Sequence, residues 1–366
     1  MSKKLKIFAL GGNEVSPSGK VDPQTGKQII PDLPEQWRRT AATCNQLANV
    51  IKENPDDYYI LTHGNGPQVG NIILRSEYSR PILHILPLDV CDADTQGAMG
   101  YMLAQLTNNL AILNINRIVA ETVTRVVVDQ NDPDFINPSK FIGPAYSKEN
   151  ALKIQKDEGH LMKFYKMNDQ GEELWRWVVP SPKPIDIIEL DVIYNNMKSG
   201  NIPIAVGGGG IPVKKVQPEI LEGNEIYKCN YEINYIRKYS PQNNRLNIYT
   251  GVEAVVDKDL ATSLMGTLLL EKSKSLGENI EAELIIFTDV DGVKLNFQKP
   301  DQKDLRRISL NQIEELYSQN IFPAGSMGPK VKAAINFLKG GGKRVLITKS
   351  SLYNDTVNGM SGTIIE

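Results

Sequence analysis

The stretch Gly251–Leu264, GVEAVVDKDLATSL, decides how this chain is read. Apolar Val255-Val256 stops at Asp257-Lys258-Asp259, and Ala261, Leu264, Met265 and Leu268 follow at i, i+3, i+4, i+7. That pattern predicts a buried strand, Ala254–Val256, giving way to an amphipathic helix. A lysine stands between two carboxylates where they meet. Asp257 suits an N-cap and Asp259 a first turn, where acids complement the helix dipole. Capping does not account for Lys258, because a cation is unfavourable at that end. A lysine at a strand end, steadied by a flanking acid, also suits an anionic ligand. The residues alone leave both readings open.

Further strands are expected at Lys6–Leu10, Tyr58–Thr62, Arg117–Thr122, Ile202–Val206, Glu283–Thr288 and Arg344–Thr348. Helical patterns fall between them. Trp37, Ala41, Cys44, Ala48 and Ile51 share one face, as do Val331, Ala334, Ile335 and Leu338, whose helix ends at Gly340-Gly341-Gly342. Alternating strands and helices predict a mainly parallel sheet covered on both faces. Three stretches break the rhythm. Ser16–Pro34 reads as a surface loop, Val126–Trp177 as a protruding subdomain, and polar Lys214–Tyr249 as an insertion.

The 366 residues are 41% hydrophobic and 23% charged, with a net charge of -2, which gives no reason to expect a nucleic-acid or membrane surface. Cys44, Cys91 and Cys229 are sparse and odd in number, which fits a reducing compartment better than a disulfide framework. His63, His84 and His160 are too dispersed for a His-rich metal site. MSKKLKIFALGGN reads as a first strand, not a signal peptide, and no stretch is long enough to span a bilayer.

Several strands end in glycine: Gly11-Gly12-Asn13, Gly64-Asn65-Gly66 and Gly207–Gly210. Ligands of open parallel sheets bind at the carboxyl ends of strands, where glycine lets backbone N–H groups approach an anion. Each loop alone also reads as a tight βα turn; three together favour an anion site. None matches a P-loop or a Rossmann fingerprint. Lys330, behind Ala324–Pro329, falls at a helix N-terminus, unfavourable for a cation without an anion nearby. Lys140 reads locally as a surface lysine, and Arg176, between Trp175 and Trp177, as either a functional cation or an arginine packed on aromatics. Thr288–Val293 is either a plain turn or the border of a nucleotide pocket.

Together, ALGGN (Ala9–Asn13), HGNGPQVGN (His63–Asn71), DTQGAMGY (Asp94–Tyr101), NPSKFIGP (Asn137–Pro144), WRWVVPSPKPIDI (Trp175–Ile187), GGGGIPV (Gly207–Val213), GVEAVVDKDLA (Gly251–Ala261), TDVDGV (Thr288–Val293), KPDQKDL (Lys299–Leu305) and AGSMGPKVKAAI (Ala324–Ile335) resemble the carbamate kinases, of the amino-acid kinase fold. The resemblance runs through nearly the whole chain in family order. It implies a three-layer α/β/α sandwich around a mainly parallel sheet, one domain over 1–366, with a lid subdomain at 126–177, an insertion at 214–250 and a nucleotide-binding half at 251–366. It implies phosphoryl transfer between ATP and carbamate, usually run toward ATP. Lys140, Lys258 and Lys330 match lysines that contact the phosphoryl group, and Asp259 the acid that orients them. Gly11, Gly12, Asn13, Gly64, Asn65, Gly66, Gly207, Gly208, Gly209 and Gly210 match the carbamate and phosphoryl cradle. Asp257, Thr288, Asp289, Val290, Met327 and Gly328 match the nucleotide side. Mg²⁺ would ride with the nucleotide phosphates, without a dedicated protein metal site. A cytoplasmic homodimer without nucleic-acid or membrane partners is implied. The chain departs from the pattern in its longer Ser16–Pro34 loop, its longer Lys214–Tyr249 insertion, and Gly171-Glu172-Glu173-Leu174 where the family has Gly-Arg-Gly.

Overall fold

The computed structural model describes residues 3–15, 32–66, 68–168, 170–216, 248–323 and 326–366. Its centre is an eight-stranded sheet. In spatial order the strands are Arg307–Ile308, Thr363–Ile365, Arg344–Thr348, Glu281–Phe287, Lys4–Leu10, Tyr58–His63, Ile202–Ile204 and Val119–Glu121. All neighbours run parallel except Arg344–Thr348 and Thr363–Ile365. The first strand shows why such a sheet needs cover on two sides. Its apolar run alternates: Leu5, Ile7 and Ala9 join one core, Phe8 and Leu10 the other. Helices Lys258–Ser275 and Met327–Lys339 supply the first core; Leu33–Glu53 and Leu88–Leu103 supply the second. The result is the three-layer arrangement expected. Gly266 stands where helix Lys258–Ser275 crosses both neighbours, since a Cβ there would come 2.6 Å from Phe337 and 3.0 Å from Ile7.

The expected strand Ala254–Val256 is not a strand. The strand lies earlier, at Ile248–Gly251, paired antiparallel with Ile211–Val216 in a four-stranded side sheet completed by Arg125–Val128 and Pro184–Ile187. Residues 254–256 are buried, but Val255 N–H donates to Pro180 O, outside any ladder. A short apolar run signals burial and carries no pairing information. The face of helix Leu33–Glu53 is also rotated from the one expected: Ala41 is exposed, while Thr40, Cys44, Leu47, Ala48 and Ile51 are buried. Asp32 caps that helix through Glu35 N–H at 2.8 Å.

Val126–Trp177 is regular after all. Its first strand belongs to the side sheet. Lys140–Ser147, Met162–Met167 and Glu173–Val179 then form a small antiparallel sheet beside helix Lys148–Glu158. An antiparallel meander lacks the strand–helix alternation that marked the rest. Gly171–Leu174 forms its hairpin tip, where Asn168 Oδ1 accepts from Glu172 N–H at 2.8 Å. Lys140 lies at the other end of the sheet, opposite Val179. Most of Ser16–Pro34, and Lys214–Tyr249 apart from its two paired strand ends, lie outside the described residues, as does Cys229.

Candidate active site

Parallel strands bring their carboxyl ends to one edge. Gly11-Gly12, Gly64–Gly66, Gly207–Gly210 and Thr288 all leave the sheet there. The glycine loops are packed backbone to backbone. A Cβ on Gly12 would sit 2.8 Å from Gly66 Cα. Gly209, at φ +105°, passes against the carbonyl of Val256, the residue before Asp257. A side chain there would meet that carbonyl in a backbone conformation L-residues rarely adopt. The side chain of Asn13 and the residues Pro67, Ala324 and Gly325 lie outside the described set.

Asp257 caps helix Lys258–Ser275: its Oδ1 accepts from Asp259 N–H at 2.9 Å and from Leu260 N–H at 3.3 Å. Its Oδ2 takes Lys140 Nζ at 3.1 Å. Asp259 takes two ammonium groups, Lys258 Nζ on Oδ1 and Lys330 Nζ on Oδ2, each at 2.7 Å. Capping and lysine placement therefore operate together, through one pair of carboxylates. Lys140, which read locally as a surface lysine, is 30% exposed and belongs to the same cluster. Lys258 runs over Gly64, whose Cβ position is 3.6 Å from Lys258 Cδ. Lys258 and Lys330 each occupy the first turn of a helix, so two positive dipole ends add to their charges.

Burial pulls the Lys258 pKa down, and the neighbouring Lys330 adds to that pull against Asp259. Burial also works against the Lys330 ammonium, but Asp259 outweighs it and the net shift is upward. Burial would raise the Asp259 carboxyl; the two lysines hold it well below the carboxylate range instead. Lys140, Lys258 and Lys330 thus bring three ammonium groups to two directly paired carboxylates, Asp257 and Asp259, with Lys258 and Asp259 buried. That is a site for an anion.

Among the residues expected to border a nucleotide, Thr288 is buried with its N–H on Thr348 O at 2.9 Å. The Asp289 charge also reaches Lys330. Gly328 N–H donates to Pro323 O at 2.9 Å, and Met327 packs against the core. Arg176 is more than an arginine on aromatics: it stacks over Tyr165 and donates from Nε and Nη2 to Gly143 O at 3.0 and 2.6 Å.

Asp92, Thr95, Gln96 and Thr124 support the cradle and carry no role in the sequence reading. Asn65 donates to buried Asp92 at 2.8 Å and accepts from Thr95 at 2.7 Å. Gln96 donates to Gly207 O at 3.0 Å and to Thr124 O at 3.1 Å. Thr124 Oγ1 accepts from Val206 N–H at 3.1 Å. Val206 itself has φ +44°, so the Gly207–Gly210 loop starts from a strained residue braced by this network. Asp89, Asp92, Thr95, Gln96 and Met99 lie at helical spacing on the buried face of helix Leu88–Leu103. Polar residues at core-facing periodicity were the available signal.

His63 ends its strand fully buried behind Gly207, and its Nδ1 lies 3.3 Å from Gly64 O. Burial lowers its pKa from 6.5 to about 4. Above pH 6.5 neither the folded nor the unfolded state binds this proton. As pH falls from about 6.5 to 4, the unfolded chain gains a proton the folded chain refuses, so stability is lost across that window, by about 3 kcal/mol. Glu121, whose Oε2 lies 3.9 Å from His63 Nε2, is raised by burial and acts in the opposite sense, so the His63 contribution is read as a difference between the native chain and a neutral variant. Thermal midpoints from pH 4 to 7 should fall more steeply in the native chain than in His63→Gln. Parallel curves would refute the assignment.

Sheet order, glycine-lined strand ends and the lysine cluster define the class: a three-layer α/β phosphotransferase. Residues 273–349 match the amino acid kinase family. The carbamate kinase of Thermococcus kodakarensis is 37% identical over 98% of both chains, and that of Oenococcus oeni 36% identical over 100% of this chain and 99% of its own. The solved carbamate kinase of Giardia lamblia bound to AMP-PNP superposes with a TM-score of 0.75 at 32% identity, covering 100% of this chain and 98% of that one. The chain belongs to the carbamate kinase family.

Proposed function

We propose that the chain moves a phosphoryl group reversibly between ATP and carbamate, giving ADP and carbamoyl phosphate, and works toward ATP. The carrying observation is the meeting of Lys140, Lys258 and Lys330 on Asp257 and Asp259 above glycine-lined strand ends. In the direction of ATP, a terminal oxygen of ADP attacks phosphorus, the bond from phosphorus to the carbamate oxygen breaks, and carbamate leaves with the electron pair. Phosphoryl transfer asks the protein for alignment and for positive charge around the equatorial oxygens. Lys258 and Lys330 supply that charge, and Asp259 fixes their heads. Gly11, Gly12, Gly64–Gly66 and Gly207–Gly210 form the cradle for a small planar anion; Thr288–Val290, Met327 and Gly328 border the nucleotide. The related Giardia protein was solved with AMP-PNP.

Mg²⁺ fits as a companion of the nucleotide phosphates. Asp257 and Asp259 are committed to backbone N–H groups and ammonium groups, so waters and phosphate oxygens would complete its shell. When bound there it would offset phosphate charge. The small sheet over 140–179 acts as the lid, bringing Lys140 to the cluster and excluding water. We assign residues 251–366 to the nucleotide-binding half.

Homodimer formation has support in exposed apolar side chains at Tyr78, Ile82 and Leu83. Cys44 and Cys91 are buried free thiols, each pushed up to about 12 by burial, in keeping with a reducing, cytoplasmic setting. Among the described residues no helix is long and apolar enough to cross a membrane.

The test is a coupled assay for ATP from carbamoyl phosphate, ADP and Mg²⁺, run beside acetyl phosphate. ATP from carbamoyl phosphate is expected; its absence, or a preference for acetyl phosphate, would refute carbamate as the acceptor. Lys140→Ala should lower kcat by about 10²–10³-fold and leave the ADP dissociation constant nearly unchanged. Equal weakening of both would remove Lys140 from the phosphoryl end.

A further inference from the structure

Glu77, Glu158 and His160 meet where the small sheet joins the main body. Glu77 lies on helix Gln68–Ser79, which follows the Gly64–Gly66 loop. Glu158 ends helix Lys148–Glu158, and Gly159, at φ +79°, turns the chain so that His160 faces back toward Glu77. One ligand atom from each residue lies within 4.8 Å of the other two. His160 Nε2 is 3.7 Å from Glu77 Oε1 and 3.4 Å from Glu158 Oε2. Donor atoms around a tetrahedral zinc ion, with bonds of about 2.0–2.2 Å, are spaced roughly 3.4 Å apart.

Three further observations bear on the site. The His160 ring is stacked on Trp177 with centroids 3.8 Å apart, which fixes the direction of Nε2. That nitrogen is shut off from solvent and makes no hydrogen bond among the described residues. Arg80 occupies Oε2 of Glu77, so Oε1 is the oxygen turned toward the imidazole. Two carboxylates and one imidazole suit a divalent ion that accepts nitrogen and oxygen donors, zinc before magnesium or calcium.

We propose that Glu77, Glu158 and His160 bind Zn²⁺ or a similar divalent transition-metal ion, with water completing the shell, and that the ion ties the small sheet to helix Gln68–Ser79. The two parts already touch nearby: a Cβ on Gly70 would come 2.7 Å from Gly143 Cα. An ion at this place adds a tether across the same joint. The binding itself does not depend on the phosphoryl-transfer reading.

The test uses the full chain stripped of metal, without nucleotide. Zn²⁺ is titrated in competition with a chromophoric chelator, and Co²⁺ is followed by its visible absorption. The native chain should hold an ion whose affinity falls more than roughly 100-fold in His160→Ala, beyond the 10–100-fold range of lost supporting contacts. Glu158→Gln should weaken it as well, with far-ultraviolet circular dichroism unchanged in both. Co²⁺ should give intense tetrahedral bands in the native chain that His160→Ala abolishes. Equal Zn²⁺ affinity in native and His160→Ala chains would overturn the proposal; it would mean that the three side chains meet without holding an ion. A weak six-coordinate Co²⁺ spectrum, the same in both, would overturn it too.

Discussion

Lys258→Ala is expected to lower kcat/KM for ATP formation from carbamoyl phosphate by about 10³–10⁴-fold while the fold persists. Removing one preorganised donor to developing charge costs about 10²–10³-fold, and a full positive charge at a transferring phosphoryl group is worth about 10³–10⁵-fold. Lys258 combines the two. Its ammonium is buried, in the first turn of a helix, and fixed by Asp259 at 2.7 Å. The fold should tolerate the change because Asp259 keeps Lys330 as its partner. Steady-state kinetics beside a thermal melt would decide the matter. A variant within tenfold of the native rate would place the migrating group elsewhere.

Asp259→Asn should act on stability as much as on rate. The amide keeps the shape and loses the charge, which leaves buried Lys258 and half-buried Lys330 without the carboxylate they share. Breaking a buried ion pair by removing one partner costs about 3–5 kcal/mol, and here one carboxylate serves two cations. Multivalent anions should replace part of the missing charge. The expected result is a lowered thermal midpoint that inorganic phosphate raises more in the variant than in the native chain. If the variant melts with the native protein, or phosphate lifts both equally, the two lysines do not depend on this carboxylate. In pH, the depressed Asp259 contributes stability above the ordinary carboxylate range, and that stability is lost as acid protonates it.

These two residues also show how far the sequence reached. Asp257 as a cap, the glycine-ended strands and the three-layer class were legible, because each rests on neighbours a few positions apart. The resemblance supplied the three lysines in their order. The Ala254–Val256 strand was misread for a definite reason: a buried apolar run and a buried strand have the same composition. Their difference is whether Val255 N–H meets a neighbouring strand or, as here, Pro180 O. Asp92 and Gln96 carry only the signal of polar residues at core-facing helical spacing, and loop residue Thr124 carries none, because their partners are set by tertiary packing.

Local chemistry along the chain settled that Asp257 caps a helix, that strands and helices alternate, and that anion-seeking glycines gather at strand ends. Tertiary structure alone decided that Lys330 meets a carboxylate 71 residues away and Lys140 one 117 residues away. Turns and caps are fixed by bonds between near neighbours. Which distant charges share a buried carboxylate is fixed by how whole layers pack, and no short window of residues contains that information.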